Sequence, residues 1–384
     1  MASPDYHGGS LVNLMSSLAC GLGGRDEIYQ PLGLLPPSLV AEARHVVLLI
    51  FDGLGYHYLL RHGRALKPYL RGRITSVFPT STAPAITTLL TGVAPQQHGV
   101  TGWFMNLREL GSVAVILPFR PRWGTVSFAS SGFRVSDFIG APPLTNGLDR
   151  QCHFLIHQDL QDSPYSQAGA GRAERHGYKD LAGYFDFIQA LVRRSRKRSY
   201  LYAYWPLFDY LCHRDGVDSK TVEQHFQDIE HGFSLLTESL RGTQTLLLAT
   251  ADHGFIDTAL RYKIRLDEHP ELAACLSAPL CGEPRVAFCY VRASQTRCFE
   301  RYVAEQLGHC CELYRSEDLL EAGWFGLGKP DPRVLDRCGD YTLVMKDRYV
   351  IKDTLPGEGF WSDVGVHGGI SEEEMAVPLL AAFC

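Results

Sequence analysis

No apolar run in this 384-residue chain approaches the ~20 residues that a membrane-crossing helix needs. No charge dominates either: 37 Lys+Arg stand against 42 Asp+Glu, a formal charge of -5. Bulk electrostatics therefore gives no case for a nucleic-acid polymer as partner, and an anionic substrate must be attracted locally. There is no CxxC pair among the 11 cysteines, which are odd in number and scattered, with only Cys310 and Cys311 adjacent. That usage reads as a reduced chain and not as a disulfide framework. Internal repeats and low-complexity tracts are absent. The opening MASPDYHGGSLVNLMSSLACGLGG has no basic stretch before its apolar part, so it reads as a short amphipathic helix and not as a signal peptide. The expectation is a soluble, cytoplasmic protein without membrane contact.

What is present is an alternation of two patterns. VVLLIF (46–51), SYLYAYW (199–205), TLLLAT (245–250) and AVPLLAAF (376–383) are short apolar runs of the kind buried on both faces of a sheet. Pro378 in the last run predicts an edge or a late bend. Between them, the segment 83–91 begins near Pro84 and ends at Gly92, suiting a helix with a first-turn proline and a glycine cap. Val222, Phe226, Ile229, Phe233 and Leu236 recur at helical spacing after Asp218 and Ser219, either of which can cap. Strands alternating with helices predict an α/β fold with a mostly parallel central sheet flanked by helices. Two stretches read as insertions. One, near 103–198, is loop-rich and ends in a helix. The other, 256–363, holds a βαβ-like set (VAFCYV, FERYVAEQLG, CCELYR) and then YTLVMKDRYVI. The expected division is a metal-binding core of 1–255 together with 364–384, and a smaller inserted α+β lid of 256–363.

The chemistry-bearing residues lie at or just beyond strand ends, where open α/β sheets bind ligands. They are Asp52 (LLIFDGLG), Thr82 (FPTSTAPAITTLLTG), Asp209 and His213 (YWPLFDYLCH), Asp252 and His253 (LLLATADHG) and His367 (GVHGG). Asp209 and His213, four apart, share a face if their segment is helical. Asp252 and His253 are neighbours, and only a non-helical turn lets both address one cation; Gly254 permits such a turn. Three carboxylates with three imidazoles can hold two divalent cations, zinc in preference, with Mn²⁺ or Fe²⁺ as alternatives. Two such cations clamp the attacking and leaving oxygens of a phosphoryl transfer. Thr82, at a helix start beside them, would be the nucleophile, since coordination lowers a hydroxyl pKa strongly. Thr80 and Ser81 are its nearby rivals. Singly, DG, DHG and HGG are ordinary turns and Thr82 an ordinary cap; their joint order is what carries the reading. His153, His157 and His176 read as satisfied or exposed histidines, and His98 as a residue that is structural or that supports the site from behind its ligands.

At these residues the sequence resembles the alkaline phosphatase superfamily, and within it the type I phosphodiesterase/nucleotide pyrophosphatase family. The matching stretches are VVLLIFDGLG, FPTSTAPAITTLLTGVAPQQHGVTGW, FDYLCHRDG, TADHGF and GVHGGISEEEMAVPLL. The resemblance implies an alkaline-phosphatase-like core. It also implies one metal held by Asp209, His213 and His367, and a second held by Asp52, Asp252 and His253 with Thr82 reaching it. It further implies attack by Thr82 on a small-molecule phosphodiester or pyrophosphate, through a phospho-threonine intermediate. Phosphomonoesterases, phosphonate hydrolases and non-catalytic binders on the same core are the rival expectations. One departure stands out: Ala85 occupies the position where well-known nucleotide pyrophosphatases carry a phosphate-contacting Asn. Asn106, Arg120 and Arg122 are the stand-ins that the sequence offers.

Overall fold

The computed structural model describes residues 3–24, 28–359 and 362–384. A seven-stranded sheet forms the main body, in the order Leu70–Thr75, Ala376–Phe383, Thr245–Thr250, His45–Phe51, Ser199–Trp205, Gln151–His157, Glu174–Tyr178. The last five run parallel to one another, and Ala376–Phe383 is antiparallel to both its neighbours. The three apolar runs at the centre are buried at every position, which is why they show no alternation in sequence. Pro378 does not lie in an edge strand of the sheet. It faces Arg73 where only one neighbouring strand is paired, and the register shifts just afterwards, between Leu379 and Leu380. A residue without an N–H is tolerated where one side of the strand needs no donor.

The N-terminal helix, Leu11–Gly21, departs from the amphipathic expectation: ten of its residues are buried. Its polar side is covered by the following loop. Asn13 donates to the carbonyls of Tyr6 (3.1 Å) and Gln30 (2.8 Å), and Ser17 accepts from the Leu32 N–H at 2.8 Å. Buried polar groups are stable only with such partners. Among the described residues no helix is long and apolar enough to cross a membrane.

A second seven-stranded sheet is antiparallel throughout: Cys311–Arg315, Tyr341–Met345, Val286–Cys289, Cys281–Glu283, Phe104–Leu107, Ser112–Val115, Arg120–Pro121. The 103–198 stretch is thus not a single insertion. Its first three strands join this second sheet, while Gln151–His157 and Glu174–Tyr178 complete the main one. The expected βαβ set is present in split form, with Tyr341–Met345 lying between Val286–Cys289 and Cys311–Arg315. An apolar cluster containing Phe78, Phe288, Phe325, Ile370 and Met375 joins the second sheet to the main body. Beside it, Arg285 grips Glu374 in a buried bidentate pair, Nε–Oε1 at 3.1 Å and Nη2–Oε2 at 3.0 Å.

Candidate active site

The registers Ile50↔Thr250 and Phe51↔Trp205 make three central parallel strands end together. Asp52 follows the first of them directly, and Asp252 lies two residues beyond Thr250. The third leads into the helix Leu207–Asp215, whose first turn carries Asp209 and last turn His213. His367 follows the short strand Gly365–Val366, which pairs with Ile256–Asp257 just after the Asp252–His253 turn. The helix Thr82–Thr91 begins with Thr82, follows Ser81 at the N-cap position without a side-chain cap bond, and is closed by Gly92 in the left-handed region (φ 80°).

These elements bring all seven residues to one place. His213 Nε2, His367 Nε2 and Asp209 Oδ1 are mutually separated by 3.2, 3.6 and 3.7 Å. His253 Nε2 lies 3.4 Å from Asp52 Oδ1, 3.5 Å from Asp252 Oδ2 and 3.9 Å from Asp209 Oδ1. Thr82 Oγ1 is 3.1 Å from His253 Nε2. The site is buried except towards His213 and Asp209, whose side chains are 30% and 17% exposed.

The surroundings orient each group. His213, His253 and His367 all have Nδ1 within hydrogen-bonding distance of a carbonyl: Gly365 (2.9 Å), Gly254 (3.1 Å) and Thr80 (3.2 Å) respectively. Donating there leaves three Nε2 lone pairs facing inward, the arrangement of metal-ligating histidines. Asp252 Oδ1 accepts from the N–H groups of Gly53 and His253, both at 3.0 Å, and Asp52 Oδ2 accepts from the Tyr204 hydroxyl. Asp52 Oδ1, Asp209 Oδ1 and Asp252 Oδ2 remain buried and without a donor. Burial, then the Asp209 and Asp252 carboxylates, push the Asp52 carboxyl well above its usual range. Burial and the other two imidazoles hold His367 well below the usual imidazole value. Six inward lone-pair donors, three of them the orphaned carboxylate oxygens, make a set that fits cations.

Two glycines are required here. Gly53 has φ 77°, and a Cβ on it would meet the Phe255 ring at 2.5 Å. Gly254 is needed for a reason other than turn freedom: a Cβ there would lie 1.9 Å from the Glu373 carbonyl oxygen.

The rivals of Thr82 are occupied. Thr80 Oγ1 donates to the Gly369 carbonyl at 2.7 Å, and Ser81 Oγ donates to Glu283. Glu283 is a site neighbour that sequence reasoning missed. It comes from the second sheet, also accepts the Trp103 N–H at 2.7 Å, and burial pushes its carboxyl up to about 7. Tyr204 was missed as well, although a tyrosine in a fully buried strand signals a partner for its hydroxyl. The three stand-ins for the absent amide at Ala85 are engaged elsewhere. Arg122 is sealed between Asp353 (2.7 Å) and Glu358 (2.8 Å), and Arg120 Nη1 bonds the carbonyls of Pro121 (3.0 Å) and Gly124 (2.8 Å). Asn106 lines a separate cleft with Tyr290 and Asp336. Spacing could not show these directions.

A family model for type I phosphodiesterase / nucleotide pyrophosphatase matches residues 46–369. The chain belongs to this family. It is a phosphoester hydrolase, and the family is metal-dependent, in keeping with the triplets Asp52/Asp252/His253 and Asp209/His253/His367. Solved structures share the alkaline-phosphatase-like fold of this family member. Murine ectonucleotide pyrophosphatase/phosphodiesterase 5 superposes with a TM-score of 0.63 at 19% identity, over 88% of this chain and 87% of that one. The human form gives 0.60 at 18%, over 88% and 87%. Phosphonoacetate hydrolase from Sinorhizobium meliloti, in complex with phosphonoformate, gives 0.63 at 17%, over 88% and 90%.

Proposed function

We propose that this enzyme hydrolyses small-molecule phosphodiesters or pyrophosphates through a phospho-threonine intermediate on Thr82. In this reading Asp209, His213 and His367 hold one divalent cation, and Asp52, Asp252 and His253 hold a second beside Thr82, both zinc. Bound there, the cations supply the positive charge that lowers the hydroxyl pKa and neutralises charge on the phosphoryl and leaving oxygens. The chain's own contribution is placement. The Thr82 hydroxyl sits at a helix start, where backbone N–H groups favour a phosphoryl oxyanion. Its oxygen forms the new bond to phosphorus, its proton passes to solvent, and the leaving oxygen departs with the electron pair of the broken P–O bond. Water then attacks phosphorus from the exposed His213–Asp209 side, and Thr82 Oγ leaves and regains a proton. Residues 256–363 act as a cap on a core of 1–255 and 364–384, borrowing strands from Phe104–Pro121. The eleven free cysteines favour a reducing, cytoplasmic setting.

The observation that carries the reading is the Thr82 hydroxyl, 3.1 Å from His253 inside a six-ligand cluster while Thr80 and Ser81 are bonded elsewhere. It is supported by the murine neighbour solved with AMP, described as inactive and carrying a threonine-to-alanine substitution. The test is turnover of bis-p-nitrophenyl phosphate, p-nitrophenyl phosphate and phosphonoacetate by the zinc-loaded enzyme, with acid-quenched samples mapped by mass spectrometry. Preference for the diester and a phosphate on Thr82 are expected. Preference for phosphonoacetate would transfer the reading to a phosphonate hydrolase, and a label on another residue would remove Thr82.

A further inference from the structure

We propose that His153, Glu174 and His176 form an additional divalent-metal site, separate from the phosphoester centre, that takes a borderline cation such as Zn²⁺ and fastens the outermost strand of the main sheet. Strand geometry sets up the cluster. Glu174 and His176 are two apart in Glu174–Tyr178, so their side chains leave the same face. The parallel register pairs His153 with Glu174 and Leu155 with His176, which puts all three on neighbouring rows of one face. Their donor atoms lie within 4.8 Å of one another. His153 Nδ1 is 3.1 Å from His176 Nε2 and 3.7 Å from Glu174 Oε2. Tetrahedral zinc, with bonds of about 2.0–2.2 Å to nitrogen and oxygen, sets adjacent ligands roughly 3.2–3.6 Å apart, so small side-chain adjustments suffice.

The setting favours a ligand role over a simple polar contact. His153 is 2% exposed, and its Nδ1 faces both His176 and Glu174. Phe187 packs against His176 with ring centroids 4.6 Å apart and fixes its plane. Glu174 is 65% exposed, leaving the fourth position to water. Two imidazoles and one carboxylate are a donor set of zinc sites that keep an open position. The site is remote from the phosphoester centre. His153 shares its row with Leu201 and Val47, and Val47 lies five residues before Asp52, which is ~16 Å along a strand. Glu174–Tyr178 is paired on one side only, so a cation shared with His153 would close the sheet where it is weakest.

The test uses the full chain, stripped with chelator and dialysed against micromolar free Zn²⁺, with zinc per chain measured by mass spectrometry. Wild type is expected to hold one more zinc per chain than His176→Gln or Glu174→Gln, both on accessible side chains. Turnover of bis-p-nitrophenyl phosphate should be unchanged in the two variants. The same difference of one should persist when each is combined with Asp252→Asn, whatever the phosphoester centre binds. Equal zinc content in wild type and both variants would overturn the proposal.

Discussion

This molecule holds two kinds of buried charge, and only one is balanced by the protein. At the joint between the sheets, Glu374 meets Arg285 in a two-bond pair and also accepts from the Gly369 N–H at 2.7 Å and the Ser371 hydroxyl at 2.7 Å. Burial acts to raise its carboxyl pKa, but Arg285 and these donors hold it below the usual range. At the strand ends, Asp52, Asp209 and Asp252 each keep one buried oxygen with no donor, and their ion-pair partners among the described residues are histidines. The same carboxylate chemistry is a clasp in one place and an open demand for cations in the other. The difference lies in whether the fold supplies the positive partner itself.

The comparison can be broken at several points. The largest effect is expected at Thr82: Thr82→Ala should lower turnover of bis-p-nitrophenyl phosphate by ~10³-fold or more, with an unchanged melting temperature. Near-normal kcat would show that another group attacks. Next is the balanced pair. Arg285→Met leaves Glu374 buried and uncompensated, and should cost ~3–5 kcal/mol in urea denaturation. Arg285→Met with Glu374→Leu should recover part of that loss; a double variant as unstable as the sum would argue against a direct pair. The unbalanced centre should behave oppositely. Saturating wild type with Zn²⁺ at a hundred times Kd should add about 2.7 kcal/mol per site, and Asp252→Asn should gain clearly less. Equal zinc-induced melting shifts in the two proteins would remove Asp252 from the ligand set.

The smallest effect comes from a histidine that needs no cation. His98 Nδ1 accepts the Val100 N–H at 3.0 Å, so Nε2 carries the proton and faces Thr88 Oγ1 at 3.0 Å on the helix that begins at Thr82. Burial, then Arg337, lowers its pKa to about 3. The unfolded chain, near the ordinary 6.5, binds the proton more readily. His98 therefore favours folding above about pH 6.5, and that stability is lost as pH falls towards 3. The loss between pH 7 and pH 5 should be about 2 kcal/mol, read as a fall in urea midpoint in chelator. His98→Gln should be less stable at pH 7 but flatter over this interval; an equal slope would show the acid loss arises elsewhere.

Much of the fold was legible because central strands and long helices write their burial into local pattern. SYLYAYW, TLLLAT and AVPLLAAF coincide with strands, and Ser219 caps Lys220–Ser239 as one of two foreseen residues. The strands between Phe104 and Pro121 were not legible. They have two to four residues each with mixed burial, too short for a period to appear. Chain order likewise could not reveal that Arg122 turns towards Asp353 and Glu358, because a side chain's direction is set by what packs around it.

Residue type and order alone singled out seven chemically competent groups and placed each near a strand end. A carboxylate or imidazole keeps its donor atoms in any fold, and apolar runs announce their own burial. Only the tertiary structure decided which oxygen of each aspartate stays unpaired, that all three imidazoles turn Nε2 inward, and that Glu283 reaches Ser81 from another sheet. Those are contacts between groups distant along the chain, and packing, not local pattern, sets them.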